Sequence, residues 1–123
     1  MLVGIVGPCA AGKTTLINGL QRRGINSRHI AQEHSYVQDM WRRITNPDIL
    51  VYLDVSYPLT IQRRKMSWSE AEYKQQLHRL ENAHKSADLI INTDNKNPEE
   101  VLSEVLSFIR DFNQASNFVG QSL

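Results

Sequence analysis

The sequence has one cysteine, little net charge and no long apolar run, and each shortage excludes a class of protein. The single cysteine, Cys9, excludes an internal disulfide framework and suits a reducing cytosol, so we expect a cytoplasmic protein. No apolar run approaches the roughly 20 residues that a membrane span requires. The 14 basic and 13 acidic residues nearly cancel, so we expect no nucleic-acid partner and no membrane partner. Apolar residues begin at Leu2 without a preceding basic segment, and we expect no signal peptide.

The length of the chain bounds its organisation. A chain of 123 residues is sufficient for one domain with a modest core. Hydrophobic residues make up 41% of the sequence and charged residues 22%, which is ordinary for a folded domain and argues against disorder. The sequence contains no internal repeat and no linker between domains. We therefore predict a single domain over residues 1–112 and a frayed polar tail over residues 113–123.

A glycine-rich loop near the N-terminus organises the rest of the chain. Residues 7–14, Gly-Pro-Cys-Ala-Ala-Gly-Lys-Thr, match G-x-x-x-x-G-K-[ST], the Walker A phosphate-binding pattern. The apolar residues 1–6 before the loop predict a buried strand. Residues 13–23 after it place apolar side chains on one helical face, and Gly24 is positioned to end that helix. Because strand, loop and helix occur in the order that the motif requires, we predict a site for a nucleoside triphosphate or for a ligand with similar phosphates.

The residue types of the loop fit the chemistry of phosphate binding. Gly7 and Gly12 permit backbone conformations and close approaches that a side chain would hinder. Backbone amides of the loop and of the helix start converge on an anion, aided by the helix dipole. Lys13 supplies a positive charge for the β- and γ-phosphates, and the Thr14 hydroxyl is placed to bind Mg²⁺. Cys9 is either a small packing residue or a redox group. The residues predicted here to bind the nucleotide are Gly7, Cys9, Ala10, Ala11, Gly12, Lys13, Thr14 and Thr15.

Strands and helices alternate along the remaining sequence. Further strands are predicted at residues 27–32, 49–53 and 89–92. Helices are predicted to begin at Ser35, Pro58, Ser69 and Asn97. The apolar stripe of the first of these helices consists of Val37, Met40, Trp41 and Ile44. This alternation predicts an α/β fold with three α/β/α layers around a small parallel sheet of about four strands. Ligands of such sheets bind beyond the carboxyl ends of the strands.

Two acids at strand ends compete for the metal or base role that phosphoryl transfer requires. Glu33 follows a weak strand, whereas Asp54 follows the strongest apolar run and fits the Walker B pattern of hydrophobic residues before an aspartate. The pattern alone favours Asp54, although either acid could be a solvated residue or a cap. The run Arg63-Arg64-Lys65 either folds over the phosphates or forms a solvated face.

The histidines and tryptophans give weaker signals. His34 either orients a substrate or caps a turn. His84 continues an apolar stripe, which favours a packing role at the edge of the core. Trp68, flanked by serines, either packs inward or stacks on a base. No pair of histidines has zinc-binding spacing with cysteine support, so the sequence does not predict a zinc site.

The order of these elements resembles the P-loop kinases of nucleosides, nucleotides and other small metabolites. Residues 32–35, Gln-Glu-His-Ser, are similar to the family's acidic residue followed by a basic one at the end of a strand. Residues 50–55, followed by Pro58 and Arg63-Arg64, are similar to its segment of an apolar strand, proline, helix and arginine. Residues 87–93 and 97–101 resemble its last strand and helix. The resemblance covers most of residues 1–112.

The resemblance implies roles for particular residues. Glu33 takes the metal-water or catalytic-base position, which reverses the preference for Asp54. Arg64, or its neighbour Arg63, belongs to a lid that stabilises charge on the transferring phosphoryl group. The loop that lies against adenine in the family corresponds here to Thr93, Asp94 and Asn95. The sequence pattern and the resemblance together predict three metal-binding residues, Thr14, Glu33 and Asp54. They also predict four catalytic residues, Lys13, Glu33, Arg63 and Arg64.

Two functions of different classes follow. The first is a kinase that uses Mg²⁺ to move the γ-phosphate of ATP to an unidentified small-molecule acceptor near Glu33, Tyr36 and Arg42-Arg43. The second is a regulatory or partner-dependent nucleotide-binding module without phosphotransfer, because residues 24–32 leave no room for the acceptor-binding insert of the family. A GTPase is disfavoured, since residues 92–96 lack the N-K-x-D order used to read guanine.

Overall fold

Four parallel strands form one sheet, and helical segments connect them. The computed structural model describes residues 1–64 and 67–121. The strands are β1 Val3–Val6, β2 Ser27–His29, β3 Ile49–Asp54 and β4 Leu89–Asn92. They lie in the order β2-β1-β3-β4, and each neighbouring pair is parallel. The predicted α/β architecture with a four-stranded parallel sheet is confirmed.

Five α-helices occur in the described part of the chain. They are α1 Lys13–Arg22, α2 Tyr57–Arg64, α3 Glu70–Arg79, α4 Glu81–Ser86 and α5 Pro98–Gln121. A 3₁₀ turn covers Gln32–His34, and a π-helical turn covers Trp41–Thr45. The predicted caps of α3 and α5 are present: Ser69 and Asn97 each accept a hydrogen bond from the amide three residues later. Within the described ranges, no helix combines the length and apolar content that crossing a bilayer requires.

The core lies on both faces of the sheet. Val51 and Leu53 point to one face and pack against apolar side chains of α1 and α5. Leu50 and Tyr52 point to the other face and pack in a second cluster with Leu80, at the junction of α3 and α4. Alternating side chains of one strand therefore enter two separate apolar layers. This double burial explains why β3 is a continuous apolar run in the sequence.

The predicted helix beginning at Ser35 is wrong. Val37 and Ile44, two members of its supposed apolar stripe, are 48% and 73% exposed, and within residues 35–45 only residues 40–45 are helical. The buried side chain of Gln32 donates to the Val37 carbonyl and accepts from the Trp41 amide. These bonds hold the intervening segment in an irregular path, because they satisfy backbone groups that a helix would otherwise pair.

Three other boundaries differ from the predictions. The second strand ends at His29 rather than at residue 32. The helix expected to continue past Leu80 divides there, because the Gln38 side chain donates to the His78 carbonyl and accepts from the Asn82 amide. The last helix continues beyond residue 112 to Gln121, since no proline or glycine interrupts residues 99–119. The predicted basic run, residues 63–65, and the lid expected over residues 63–70 include residues 65 and 66, which lie outside the described residues.

Candidate functional site

A cavity of 490 Å³ lies beyond the carboxyl ends of β1 and β2. Its wall combines residues 9–12 of the glycine loop (residues 7–14), the start of α1, the turn after β2, the end of α2 and the start of α5; Gly7, although predicted to bind the nucleotide, does not line it. The switch in strand order around β1 opens a crevice at this edge, as in other parallel α/β sheets. The cavity therefore occupies the position at which the sequence predicts a ligand.

The backbone of the glycine loop depends on its two glycines. Gly7 has a φ of +153°, and a Cβ atom there would collide with the Leu53 carbonyl oxygen. Gly12 has a φ of +97° and open space around it, so its requirement is conformational. Ala10 also has a positive φ of 68°, which carries strain in a residue with a side chain. The loop is therefore a turn with positive φ angles that packs closely against the end of β3.

The start of α1 presents free backbone donors to the cavity. Gly12 precedes the helix without a side-chain cap, and Leu16 is the first helical residue whose amide bonds a carbonyl, that of Gly12 at 3.1 Å. Among the described residues, no acceptor is found for the amides of Lys13, Thr14 and Thr15. Free amides and the helix dipole make this helix start suitable for an anion.

Lys13 folds back into the loop as a buried cation. Its side chain is only 8% exposed, and its ammonium lies 2.7 Å from Glu33 Oε2. The same group donates to the carbonyl oxygens of Gly7 and of Pro8, the latter at 3.1 Å. Three acceptors therefore compensate the desolvation of this charge.

Glu33 is the buried partner of Lys13. Its side chain is 2% exposed, and the 3₁₀ turn that carries it is held by Gln32 and by Arg79, which donates to the Glu33 carbonyl at 3.4 Å. Two histidines surround the carboxylate: Nε2 of His29 lies 3.6 Å and Nε2 of His34 lies 4.0 Å from Oε2. Burial, followed by the Lys13 charge, lowers the pKa of His29, while Glu33 opposes this shift.

Asp54 lies apart from this group. It shares a face of β3 with Tyr52 and lines a separate 280 Å³ cavity that also contains Tyr73. Its Oδ1 accepts from the Val55 amide at 3.0 Å. Burial and the Asp54 charge raise the pKa of Tyr73. The two candidate acids therefore occupy different cavities, and only Glu33 contacts Lys13.

Arg63 and Arg64 are neighbours with different contacts. The Arg63 guanidinium donates to the Ala10 carbonyl at 3.1 Å, and to the hydroxyl and carbonyl of Thr93 at 2.9 and 2.5 Å. Thr93 in turn donates to the Ala11 carbonyl at 3.2 Å. Arg63 and Thr93 thus fasten the glycine loop to the end of β4. Arg64 also lines the cavity, with an exposed side chain.

The predicted adenine loop lies only partly at the cavity. Thr93 lines the wall, whereas Asp94 and Asn95 do not. Oδ1 of Asp94 accepts from the Ser56 amide at 2.9 Å, which ties this loop to the segment after β3. Lys96, the last residue of this loop, also lines the wall.

Other side chains named from the sequence have structural contacts. Trp68 is buried and donates to the Thr60 hydroxyl at 2.8 Å, so it packs inward. His84 is exposed and meets the Tyr52 ring edge-on at 4.7 Å. In the expected acceptor region, Arg42 lies over the Trp41 ring at 4.8 Å. The other members of that region are Arg43, which pairs with Asp39 at 2.9 Å, and Tyr36, which is 87% exposed.

Two residues near the site were missed by the sequence analysis. Gln76 accepts from the Cys9 amide at 3.0 Å and donates to Cys9 Sγ at 3.2 Å. Arg79 lies over the Tyr36 ring at 4.7 Å and supports the Glu33 turn. Both belong to α3, more than 40 residues from their partners, and no local pattern marks them.

No protein-family model matches the sequence, and no curated protein matches it. The chemistry of the cavity is therefore the basis for assigning a function.

Proposed function

We propose that this chain is a cytoplasmic phosphotransferase that binds ATP and Mg²⁺ and transfers the γ-phosphate to a small metabolite or nucleotide. One observation carries the proposal. The free amides of α1, the Lys13 ammonium and the Glu33 carboxylate meet in a single cavity at the carboxyl edge of a parallel sheet. Fixed donors around a phosphoryl group, with an acid beside it, are what phosphoryl transfer requires.

Phosphate binding would change the contacts of Lys13. The triphosphate would replace the Gly7 and Pro8 carbonyls as acceptors for the ammonium, while the amides of Lys13, Thr14 and Thr15 bind the phosphate oxygens. The ammonium is already desolvated beside Glu33, so its attraction to phosphate is weakly screened by water.

The oxygen donors in the cavity suit Mg²⁺. Thr14 and Glu33 both line the wall, and hydroxyl and carboxylate oxygens are ligands that this hard cation prefers. Asp54 lines a different cavity, so Glu33 is the better candidate for the metal or base role. Bound Mg²⁺ would neutralise charge developing on the phosphates.

The acceptor would approach from the side of α3. A second cavity of 610 Å³ contains Tyr36, Lys74 and Arg79, and Arg79 connects it to the Glu33 turn through the Glu33 carbonyl. An exposed aromatic ring beside cationic groups suits a planar or anionic acceptor. Arg64 would approach the transferring group from the opposite wall of the first cavity.

The experiment is calorimetric titration with ATP and with GTP, each with Mg²⁺, followed by turnover assays against a panel of acceptors. We expect ATP binding to weaken by at least about 100-fold in Lys13→Ala, because the phosphates lose their buried cation. Lys85→Ala is the matched control, because it removes an exposed lysine that lines the separate cavity of Asp54 and not the cavity of Lys13. Wild-type ATP affinity in Lys13→Ala would contradict the proposal.

Folding must be separated from binding in this test. Lys13→Ala leaves the Glu33 carboxylate buried without its partner, which is destabilising. The double variant Lys13→Ala with Glu33→Gln removes both charges and serves as the folded comparison. Circular dichroism and thermal melting establish that each variant is folded before titration.

A nucleotide-binding module without phosphotransfer is the second candidate. The observation that favours it is that the Arg63 guanidinium is already engaged by Ala10 and Thr93. ATP binding without turnover of any acceptor would support the module. Turnover that requires one particular acceptor would support the kinase.

A further inference from the structure

Three side chains with different donor atoms converge on one wall of the cavity. Cys9 Sγ, a Glu33 carboxylate oxygen and a ring nitrogen of His34 all lie within 4.8 Å of one another. Cys9 belongs to the glycine loop, whereas Glu33 and His34 are adjacent in the turn after β2. The tertiary structure thus assembles a sulfur, an oxygen and a nitrogen donor that the sequence spacing does not reveal.

One oxygen of the Glu33 carboxylate in this cluster is available to bind a cation. Glu33 is 2% exposed, and in the part of the chain that the structure describes its Oε1 has no hydrogen-bond partner. A buried carboxylate oxygen without a donor is costly, and a bound cation is one way to satisfy it. The other oxygen, Oε2, is engaged by Lys13.

The sulfur is held in place by a second residue. Gln76 is buried. Its side-chain nitrogen Nε2 donates to Cys9 Sγ, and its side-chain oxygen Oε1 accepts from the backbone amide of Cys9. A donated hydrogen bond stabilises a thiolate and fixes its direction, as outer groups do around protein metal sites. The cluster therefore has an oriented sulfur in addition to its donor set.

We propose that Cys9, Glu33 and His34 bind a borderline divalent transition-metal ion, with Zn²⁺ as the best match. Thiolate, imidazole and carboxylate together favour zinc over magnesium, which prefers oxygen ligands alone. Three protein ligands leave a fourth position open towards the cavity. Binding takes Cys9 as the thiolate, so its proton is released to solvent as the metal–sulfur bond forms.

This site has a regulatory consequence that depends on the proposed function. A zinc ion bound to Glu33 withholds that carboxylate from Mg²⁺ and from the acceptor, and therefore inhibits phosphotransfer. Metal binding itself requires no nucleotide. A direct binding measurement consequently tests the zinc site even where the kinase proposal fails.

The test is zinc titration of the reduced protein, in the absence of nucleotide, with a competing chromophoric chelator. We expect Cys9→Ser and His34→Gln each to weaken zinc binding by at least about tenfold, because loss of a direct ligand costs no less than loss of an outer group. His78→Gln is the matched control, since His78 is an exposed histidine paired with Glu81 outside this cavity. Circular dichroism confirms that the variants fold.

Cobalt substitution provides a second readout. We expect the Co²⁺ protein to show a thiolate-to-metal charge-transfer band that Cys9→Ser abolishes, and excess Mg²⁺ to leave bound zinc in place. Absence of zinc binding to the wild type, equal binding by all variants, or a cobalt spectrum without the thiolate band would each overturn the proposal.

Discussion

Asp54 ends one of the two strands that flank β1, and Glu33 lies in the turn that follows the other, yet only Glu33 lies beside Lys13. Asp54 is the last residue of β3, the strand that the sequence predicts most strongly. It points to the face of the sheet that carries Tyr52 and the α3–α4 layer. Glu33 follows a strand of three residues and belongs to a turn that curls over the glycine loop. The position of Asp54 at the end of a strongly predicted strand therefore does not bring its carboxylate to Lys13.

The pleat of the sheet explains why Asp54 does not point towards Lys13. Successive side chains of a strand alternate between faces, so the residue that ends β3 shares a face with Tyr52 rather than with Leu53, which packs in the layer of α1. A turn has no such alternation. Because the carbonyl of Glu33 is held by Arg79 and its carboxylate by Lys13, tertiary contacts set its direction.

Substitutions of Glu33 and of Asp54 should differ most in their effect on turnover. Glu33→Gln should lower phosphotransfer by about 10²–10⁴-fold, the range for loss of a general acid or base, while ATP binding persists. Asp54→Asn should change turnover by no more than about twofold, as an ordinary surface substitution does. The measurement is kcat and the ATP dissociation constant for both variants.

The reverse result would contradict the assignment of Glu33 as the functional acid. If Asp54→Asn lost turnover and Glu33→Gln retained it, the acid of the apolar strand would be the functional one. Thermal melting of both proteins distinguishes this from unfolding, since Glu33→Gln alone leaves Lys13 without its buried counter-charge.

Gly7 and Gly12 differ in that only Gly7 packs against β3, so their substitutions should differ in their effect on stability. Gly7→Ala should destabilise the fold by about 3 kcal/mol, because the new Cβ collides with the Leu53 carbonyl oxygen and the residue keeps a positive φ. Gly12→Ala should cost about 1–2 kcal/mol, because only backbone strain opposes it. Urea denaturation of the two variants gives both free energies of unfolding. Equal losses would show that the contact with β3 contributes nothing.

The smallest effect concerns the adjacent arginines. Arg63→Ala should lower the free energy of unfolding by about 1–2 kcal/mol, since it removes three charge-assisted hydrogen bonds from a solvent-exposed group. Arg64→Ala should change it by less than about 0.5 kcal/mol. Chemical denaturation tests the pair, and a larger loss in Arg64→Ala would reverse the assignment of the structural arginine.

Local patterns were sufficient for much of the fold. The apolar run of β3, the strand–loop–helix order around residues 7–14 and the caps at Ser69 and Asn97 all predict elements that the structure contains. They succeed because each depends on backbone and side-chain preferences over a few neighbouring residues. The helix predicted after Ser35 failed because the buried amide of Gln32 competes for its backbone groups.

Local sequence patterns were enough to predict the parallel α/β sheet, the position of the glycine loop at its carboxyl edge and some of the polar residues that line the cavity there. Tertiary structure alone decided which of these residues meet. Lys13 and Glu33 are 20 residues apart, and Cys9 and Gln76 are 67 apart, so no local periodicity relates them. Their contacts arise because the turn after β2 and helix α3 pack over the loop, and long-range packing rather than local preference determines such an arrangement.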